Sequence, residues 1–280
     1  MKFLIFTLVI GFVSSSKVSG PGHKFVAPTY RDLVSAANSA RPGDSIYLLQ
    51  DTTYHINLDL TRSGLPHAPI TLIGERGSKI TGSRTAIVLK GSFWKLQNLE
   101  FENISDAILV KGSNNTLKSL SFHNVDEQAI FLKGSGNLVK NCVFNGVSNA
   151  ILVQGRENTL LKNSITASLS TIKTTPRSCC GLVSRNVLNG LMTIEGSDFE
   201  LVQNTANSDV SIRGKQNTLD GNRINGRLQV VGCGNNFYGN TAGSSDFTGT
   251  CYNWDDGKNN FGPPAHLSNH HDHDNDYHRP

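Results

Sequence analysis

Short apolar bursts, each ended by a glycine, recur along the chain. The bursts that begin at Ala86, Ala107, Ala129 and Ala150 read AIVLKG, AILVKG, AIFLKG and AILVQG. Looser copies follow, and the glycines that end the bursts lie at positions 91, 112, 134, 155, 196, 214 and 232. An internal repeat of about 20 residues is typical of a solenoid, in which each repeat forms one coil and packs against its neighbours.

A second series, mostly of asparagines, keeps step with the glycines, at positions 98, 119 (a serine), 141, 163, 186, 204, 222 and 240. Each repeat holds two or three apolar bursts, none long enough for a helix, so the pattern predicts one coil of a parallel β-helix with strands ~4.8 Å apart. We expect the glycines at turns with positive φ. We expect the asparagines at left-handed bends, where stacked amides hydrogen bond to one another.

Alternation within each burst separates an inward column of side chains from an outward one. The predicted inward column is Ile87, Ile108, Ile130, Ile151, Val210 and Leu228. The outward column begins with Val88, Leu109, Phe131 and Leu152 and becomes polar at Thr193, Ser211 and Gln229. Because an exposed apolar stripe favours association, we expect a segment such as residues 57–69 or the C-terminal segment to cover it. The alternative is a surface for a partner or a sugar ring.

The two ends of the chain differ from its repeats. Residues 1–16 combine Lys2, an apolar run and small residues, which predicts a secretory signal peptide and a secreted protein. Residues 17–28 are assigned to an N-terminal extension and 29–262 to the β-helix, which opens with a short capping helix that begins after Thr29. Residues 263–280 form a polar His/Asp tail, predicted to be disordered and able to bind Zn²⁺ or Cu²⁺ loosely. No further stretch is apolar enough to cross a bilayer.

The five cysteines are an odd number for an oxidising compartment. Cys233 and Cys251 are 18 residues apart, the length of one late repeat, so they should stack on adjacent coils and form a disulfide. Which of Cys142, Cys179 and Cys180 is free stays open at this point. Asn103 and Asn114 each begin an Asn-x-Ser/Thr acceptor sequence for glycosylation.

The formal net charge of +4 comes without a basic run, which argues against a nucleic-acid partner. Lys90, Lys111 and Lys133 each precede a glycine of the series, so they should form an outward column ~4.8 Å apart. We predict that this column contacts an anionic polymer; the alternative is a solvated edge. Arg156 and Arg213 are further candidates for carboxylate recognition.

A possible metal site lies where the repeats begin. Asp106, Gln128 and Asn149 each come two residues before the inward column, so their side chains should stack, and Glu127 is adjacent. Carboxylate and amide oxygens suit Ca²⁺, which makes Asp106 and Glu127 the candidate metal ligands. Lys111, Lys133 and Glu127 are the candidate catalytic residues, because proton abstraction from a uronate requires a nearby base.

Three segments carry a resemblance to a known family: AANSARPGDSIYLLQDTTY, APITLIGERGSKITG and FWKLQNLEFEN. They resemble the opening of the right-handed β-helix polysaccharide lyases of the chondroitinase B and alginate lyase type, in the pectin-lyase-like superfamily. The likeness covers residues 29–165 and implies right-handed coils and an acidic polysaccharide substrate cleaved by β-elimination. Those lyases hold calcium with an Asn and a Glu-x-Glu pair, and they act through a Lys and an Arg.

The later coils of this chain read SRNVLNGLMTIEG and NRINGRLQV, without a Glu-x-Glu pair or a matching lysine. No catalytic residue is therefore carried over from the family. The sequence predicts a monomeric all-β protein, a right-handed parallel β-helix that acts on or binds an acidic extracellular polysaccharide. The alternative is a non-catalytic carbohydrate-binding or structural solenoid that lacks the lyase metal site.

Overall fold

The structure is a computed structural model that describes residues 22–82, 84–248 and 252–262. It is a parallel β-solenoid of about 11 turns, which confirms the predicted fold class. In chain order its elements are β1 (Lys24–Ala27), α1 (Tyr30–Ser39), β2 (Ser45–Leu48), β3 (Thr53–His55), β4 (Leu58–Leu60), β5 (Ile70–Gly74), β6 (Lys79–Gly82), β7 (Ile87–Leu89), β8 (Trp94–Gln97), β9 (Glu100–Val110), β10 (Thr116–Lys118), β11 (Ser121–Leu132), β12 (Leu138–Lys140), β13 (Val143–Val153), β14 (Thr159–Leu161), β15 (Ser164–Thr174), β16 (Leu182–Ser184), β17 (Val187–Asn189), β18 (Met192–Glu195), β19 (Glu200–Val202), β20 (Thr205–Ala206), β21 (Val210–Arg213), β22 (Thr218–Asp220), β23 (Arg223–Val231), β24 (Asn236–Tyr238), β25 (Thr241–Thr248), β26 (Trp254–Asp255) and β27 (Asn260–Phe261).

Two long sheets form the walls of the solenoid. One has twelve strands in the order β1-β2-β5-β8-β10-β12-β14-β16-β19-β22-β24-β26. The other has fifteen strands, and its long members such as β11 bend to supply two walls. The chain therefore passes around three walls in each coil: the twelve-stranded sheet, the first part of a long strand and its second part.

The N-terminal end of the solenoid is closed by α1, as the sequence predicts. Thr29 is the N-cap, and its side-chain oxygen accepts a hydrogen bond from the Asp32 N–H at 3.2 Å. Leu33 and the two alanines that follow it on the same helix face are buried against the first coil. The first strand, β1, begins at Lys24, inside the segment 17–28 that the sequence assigns to an extension.

The predicted signal peptide and the predicted tail lie outside the described residues. In the described part of the chain, no helix has the length and hydropathy that crossing a membrane requires.

The predicted inward column is confirmed. Ile87, Ile108, Ile130 and the later members are each at most 2% exposed. Ile172 and Met192 complete the column in the irregular middle of the chain, because they pair in register between Ile151 and Val210. Burial of such aliphatic side chains in every coil is the main stabilising contribution that the repeat provides.

From β8 onward, the coils become smaller along the solenoid. In the wide half, residues 94–174, the inward residues Phe101 and Ile108 of adjoining walls are 108 − 101 = 7 positions apart. In the narrow half, residues 182–248, the equivalent residues Ile224 and Leu228 are 228 − 224 = 4 positions apart. The additional corner residues of the wide coils bury one more apolar side chain each: Ile104, Val125, Val147 and Ala167.

The glycine series lies at one corner, but most of its members do not have a positive φ. Gly91, Gly112, Gly134, Gly155 and Gly214 are outside that region, and only Gly196 and Gly232 adopt it, with φ of 131° and 139°. The prediction of positive φ is therefore wrong for most of the series. The physical reason for glycine is close backbone packing, since a Cβ on Gly134 would lie 1.8 Å from the carbonyl oxygen of Gly112 in the preceding coil.

The asparagine series predicted from the sequence combines residues from two neighbouring columns of the structure. Asn98, Ser119 and Asn141 are the left-handed residues, with φ of 55°, 53° and 54°, and Lys162 and Arg185 continue that column. The later asparagines occupy the next position, which is buried: Asn163, Asn186, Asn204, Asn222 and Asn240. Their amides stack as expected, and the Asn204 Nδ2 donates to the Asn222 Oδ1 at 3.0 Å. In the wide half this buried position holds Leu99, Leu120 and Cys142, and the amide column begins at Asn163 in the last wide coil.

Candidate functional site

The second wall of the long strands presents the predicted lysines to solvent. Its outer surface, from β7 and the adjoining Lys90 to Gln229–Val231 in β23, is called the lysine face below. Leu109 pairs in register with Val88 and with Phe131, so the residues two positions later, Lys90, Lys111 and Lys133, fall in one column. All three lysines are exposed. The structure thus places these three predicted residues together.

Two of the lysines contact neighbours on the face. The Lys90 Nζ lies 2.5 Å from the Asp59 Oδ2, and the Lys133 Nζ lies over the Phe131 ring, 4.7 Å from its centroid. Asp59 belongs to β4, which pairs with β7 and extends the lysine face by one coil. These contacts leave Lys111 in the middle of the column between two partnered lysines.

The expectation that residues 57–69 cover the apolar outward column is wrong. Part of that segment is a strand beside the column rather than a layer over it. Val88, Leu109, Phe131 and Leu152 are only partly buried in the wall. The C-terminal segment 263–280, the other expected cover, lies outside the described residues.

In the narrow half the lysine face becomes a groove. The residue before the inward column is a buried alanine in the wide half, whereas its counterparts Leu191, Asp209 and Arg227 reach the surface. Each narrow coil therefore presents three outward side chains in place of two. They surround an open groove of about 420 Å³ that is lined by Lys173, Leu191, Thr193, Glu195, Asp209, Val210, Ser211, Arg213, Arg227 and Gln229.

The groove combines three cations with two carboxylates. Arg213 pairs in register with Glu195, and the Asp209 Oδ1 accepts a hydrogen bond from the Arg227 N–H at 2.8 Å. Arg213 was predicted from sequence, but Lys173 and Arg227 were not. The signal for Lys173 was present, because it follows the inward Ile172 as Phe131 follows Ile130. That coil lacks the glycine that ends the other bursts, so the lysine does not belong to the column that precedes the glycines.

The candidate calcium cluster stacks as predicted, since Gln128 pairs in register with Asp106 and with Asn149. The amide nitrogens of Gln128 and Asn149 donate hydrogen bonds to backbone carbonyls. The Gln128 Nε2 donates to the Ile130 and Ala150 carbonyls at 3.0 Å each, and the Asn149 Nδ2 donates to the Glu127 carbonyl at 3.0 Å.

The environment of Asp106 disfavours its charged form. Burial, with a smaller effect from the Glu127 charge, raises the pKa of Asp106 and so favours the neutral form. Within the residues that the structure describes, no group of three or more His, Cys, Asp or Glu side chains could hold a metal ion. The calcium site at Asp106 and Glu127 stays a prediction.

One Glu-x-Glu sequence does occur in the chain, in an early coil and on the remaining wall. Glu100 and Glu102 point outward there, and the Lys79 Nζ lies 3.7 Å from the Glu100 Oε1 and 2.7 Å from the Glu102 Oε2. The hydrogen bond between Lys79 and Glu102 lowers the pKa of the glutamate and raises the pKa of the lysine. An ammonium group therefore occupies the position between these carboxylates.

The other predicted residues lie away from the groove. Arg156 follows Gly155 at the glycine corner, where its Nε donates to the Cys179 Sγ at 3.1 Å. Asn103 and Asn114 are exposed, as acceptors for glycosylation require.

The open question about the cysteines is answered for three of them. Cys179 and Cys180 are bonded to each other, and Cys142 is the free thiol of the three. Burial raises the pKa of the Cys142 thiol to about 12. The predicted bond between Cys233 and Cys251 stays a prediction, because Cys251 lies outside the described residues.

Solved structures of polysaccharide lyases resemble this chain in fold. An alginate lyase from Paenibacillus sp. str. FPU-7 superposes with a TM-score of 0.57 at 15% identity, over 85% of this chain and 99% of that one. The alginate lyase AlyF-OU02, in complex with G6, gives 0.65 at 16% identity, over 82% of this chain and 61% of that one. The pectate lyase Pel9A gives 0.55 at 15% identity, over 83% of this chain and 75% of that one.

Sequence comparison supplies the family. No curated protein matches the chain. The model of the right-handed β-helix region matches residues 85–242, which include the lysine face and the groove. The match and the lyase structures together confirm the predicted handedness and the pectin-lyase-like fold. The chain belongs to the right-handed β-helix family.

Proposed function

We propose that this protein is a secreted, polysaccharide lyase-like β-helix protein that binds an acidic polysaccharide along the lysine face. One observation carries the proposal: cations from most of the coils between β7 and β23 share this one outer surface. They are Lys90, Lys111, Lys133, Lys173, Arg213 and Arg227. A polymer with a carboxylate on each sugar can contact several of them at once.

The dimensions of the face suit a polymer better than a small ligand. The coils of Lys90 and Arg227 are seven steps apart, which at ~4.8 Å per step gives ~34 Å. Partly buried Leu109 and Phe131 offer apolar surface to the C–H faces of sugar rings beside the lysines. In the groove, Arg213 and Arg227 can each donate two parallel hydrogen bonds to one carboxylate, the geometry that recognises uronates.

Each exposed contact between a lysine and a carboxylate contributes about 0.2–1 kcal/mol, and salt weakens it. Removal of a single lysine is therefore a weak test. The triple variant Lys90→Gln, Lys111→Gln, Lys133→Gln should remove roughly 1–3 kcal/mol in total, a change in affinity of about 5–150-fold. Binding to alginate, pectate and chondroitin sulfate would be measured by calorimetry at low and at physiological salt.

A matched control removes three cations from other surfaces. Lys162 and Arg185 lie at the left-handed corner farthest along the coil from the lysine face, and Arg223 lies on the wall that carries Glu100. The variant Lys162→Gln, Arg185→Gln, Arg223→Gln should bind as the parent does. Equal affinity of the parent and the lysine-face variant would place the site elsewhere on the molecule.

Binding and cleavage are separate parts of the proposal. Cleavage by β-elimination requires a base at the sugar C5 proton, and the candidates are Lys111, Lys133 and Glu127. In the part of the chain that the structure describes, no group of three or more His, Cys, Asp or Glu side chains could hold a metal ion, and this favours the second candidate function, a non-catalytic carbohydrate-binding solenoid. Ultraviolet absorbance of unsaturated uronate products, followed on the same three polymers, decides between them. Binding without product would establish the non-catalytic function.

A further inference from the structure

The outer surface of the twelve-stranded sheet, called the flat face here, has a regular arrangement of charge. Lys95, Lys118 and Lys140 point outward from β8, β10 and β12, whereas Glu200 and Asp220 point outward from β19 and β22. The face is thus basic in the wide half and acidic in the narrow half. Neither the repeat nor the proposed polysaccharide site accounts for this division.

The middle and the far end of the flat face are apolar. Leu161, Leu182 and Val202 are only partly buried; the two leucines lie between the basic and the acidic strands, and Val202 shares β19 with Glu200. Beyond the acidic strands, Trp254 is 52% exposed and its ring centroid lies 4.9 Å from that of Tyr238. Large apolar and aromatic side chains at a surface, set between charges of opposite sign, are typical of protein interfaces.

Two outward columns run the length of the flat face. One contains Lys118, Lys140, Leu161, Ser184, Val202, Asp220 and Tyr238, and the other contains Lys95, Thr116, Leu138, Thr159, Leu182, Glu200, Thr218, Asn236 and Trp254. The strand β16 is the centre of this stretch, with four strands on each side from β8 to β26. If the strand order is reversed about β16, each outward lysine takes the place of an acidic or an aromatic side chain.

We propose that the flat faces of two copies of this chain pack against each other, with antiparallel solenoid axes and a two-fold axis along β16. Rotation about a two-fold axis parallel to the strands places each column of one copy over the same column of the second copy. The strands of the two copies then follow in opposite order. Lys140 then opposes Asp220 of the second copy, and Lys118 and Lys95 oppose the rings of Tyr238 and Trp254. Leu161 opposes Val202, and Leu182 meets its own copy at the axis, as an isologous interface requires.

The charge pattern excludes the parallel arrangement of the same two faces. Rotation about an axis along the solenoid would keep each coil beside its own copy. The lysines of the wide half would then face one another, which is unfavourable. Only the antiparallel arrangement pairs opposite charges.

The size of the face is sufficient for a specific dimer. Nine strands ~4.8 Å apart extend for ~38 Å, and a strip about 15 Å wide covers roughly 600 Å² on each copy. The total of roughly 1,200 Å² is at the lower end for specific protein interfaces. We therefore expect a reversible dimer, although the sequence led us to expect a monomer. The lysine faces belong to another wall and stay exposed, so this inference does not depend on the proposed function.

Charge reversal tests the pairing of Lys140 with Asp220. The full chain would be studied by sedimentation velocity over a concentration series, with circular dichroism to check the fold of each variant. The parent should shift from monomer to dimer as the concentration rises. Lys140→Asp and Asp220→Lys should each raise the dissociation constant at least tenfold, because each places like charges together twice across the axis.

The double variant Lys140→Asp, Asp220→Lys should restore dimerisation, since the opposite charges meet again with exchanged positions. Arg223→Asp, an exposed change of equal charge on another wall, should leave the dimer unaffected. A parent that stays monomeric over the whole series overturns the proposal. So does a pair of single variants that dimerise like the parent, or a double variant that fails to recover.

Discussion

The wide and narrow halves of the solenoid share two corners and differ at the third. The glycine corner and the left-handed corner continue through both halves in register. The difference of three positions between Phe101–Ile108 and Ile224–Leu228 is confined to the corner between the two walls of the fifteen-stranded sheet. A solenoid can therefore change its coil length at one corner while the column of inward aliphatic side chains continues without interruption.

The two halves are stabilised by different interactions at their corners. Wide coils bury an additional apolar side chain, such as Val125, and carry Leu120 or Cys142 beside the left-handed residue. Narrow coils lack that side chain and place stacked buried amides there, as with Asn204 and Asn222. A second amide column, at the corner before the flat face, occurs in both halves and was not predicted: Asn115, Asn137, Asn158, Asn217 and Asn235.

The largest expected effect concerns the corner that the halves share. In Gly134→Ala the new Cβ would lie 1.8 Å from the Gly112 carbonyl oxygen, and in Gly214→Ala it would lie 1.7 Å from that of Gly196. Both variants should lose ~3 kcal/mol or more of unfolding free energy, measured by urea denaturation, because backbone cannot yield as a side chain does. Gly239→Ala meets nothing within 4 Å and bears only the left-handed penalty of ~1–2 kcal/mol.

The glycine variants also test the equivalence of the two halves. Similar losses in Gly134→Ala and Gly214→Ala would show that backbone packing at this corner does not depend on coil length. A loss in Gly214→Ala as small as that in Gly239→Ala would contradict a shared corner.

A smaller effect is expected where the halves differ. In Asn222→Ala, the buried N–H of Asn204 and the carbonyl of Leu201 lose their partners at 3.0 and 2.7 Å. Each unsatisfied group costs at least about 1 kcal/mol, so this variant should lose about 2 kcal/mol or more. Thermal unfolding followed by circular dichroism measures the difference.

The reciprocal change in the wide half should be tolerated. In Cys142→Asn the new amide can donate to the Leu117 carbonyl, which the Cys142 thiol approaches at 3.8 Å, and the Asn163 Oδ1 already accepts from the Cys142 N–H. We expect stability equal to the parent's or above it. Destabilisation of Cys142→Asn as large as that of Asn222→Ala would mean that the coil of Cys142 cannot accept the amide column that begins one coil later at Asn163.

The fold was predictable because its signal is repeated in every coil. Misassigning one coil, such as the one that lacks a glycine near Ile172, does not disturb the inward column. The groove was not predictable in the same way, since it arises where the coil length changes and Leu191, Asp209 and Arg227 turn outward. Only the positions of the inward residues in three dimensions show that the residue before them has changed from buried to exposed.

The prediction that the asparagines form one left-handed column was partly wrong for a related reason. Asn98 and Asn141 are adjacent in sequence to the buried position, and asparagine is favoured both at a left-handed bend and in a buried amide stack. Because the repeat length changes along the chain, a shift of one residue from one column to the other cannot be recognised in the sequence. The pairing of Asn163 with Asn186, and of Asn141 with the Leu161 carbonyl, separates them.

The smallest expected effect concerns Asp106, which lies at the corner that is longer in the wide coils than in the narrow ones. Burial raises the pKa of Asp106 in the folded protein above its unfolded value of ~3.9. The folded state then binds more protons than the unfolded state between the two pKa values, so its contribution to stability falls as pH rises through that window. The penalty is fully present above the folded pKa. Asp106→Asn removes it and should unfold at a higher temperature than the parent at pH 7.

The difference in melting temperature between Asp106→Asn and the parent should disappear below pH ~4, where the parent's carboxyl is protonated in both states. Asp198→Asn, an exposed change in the narrow half, should follow the parent at both pH values. Calcium provides an independent comparison, because a cation bound at Asp106 would stabilise the ionised carboxylate and reverse the sign. If millimolar calcium made the parent more stable than Asp106→Asn at pH 7, the predicted calcium site at Asp106 would be supported.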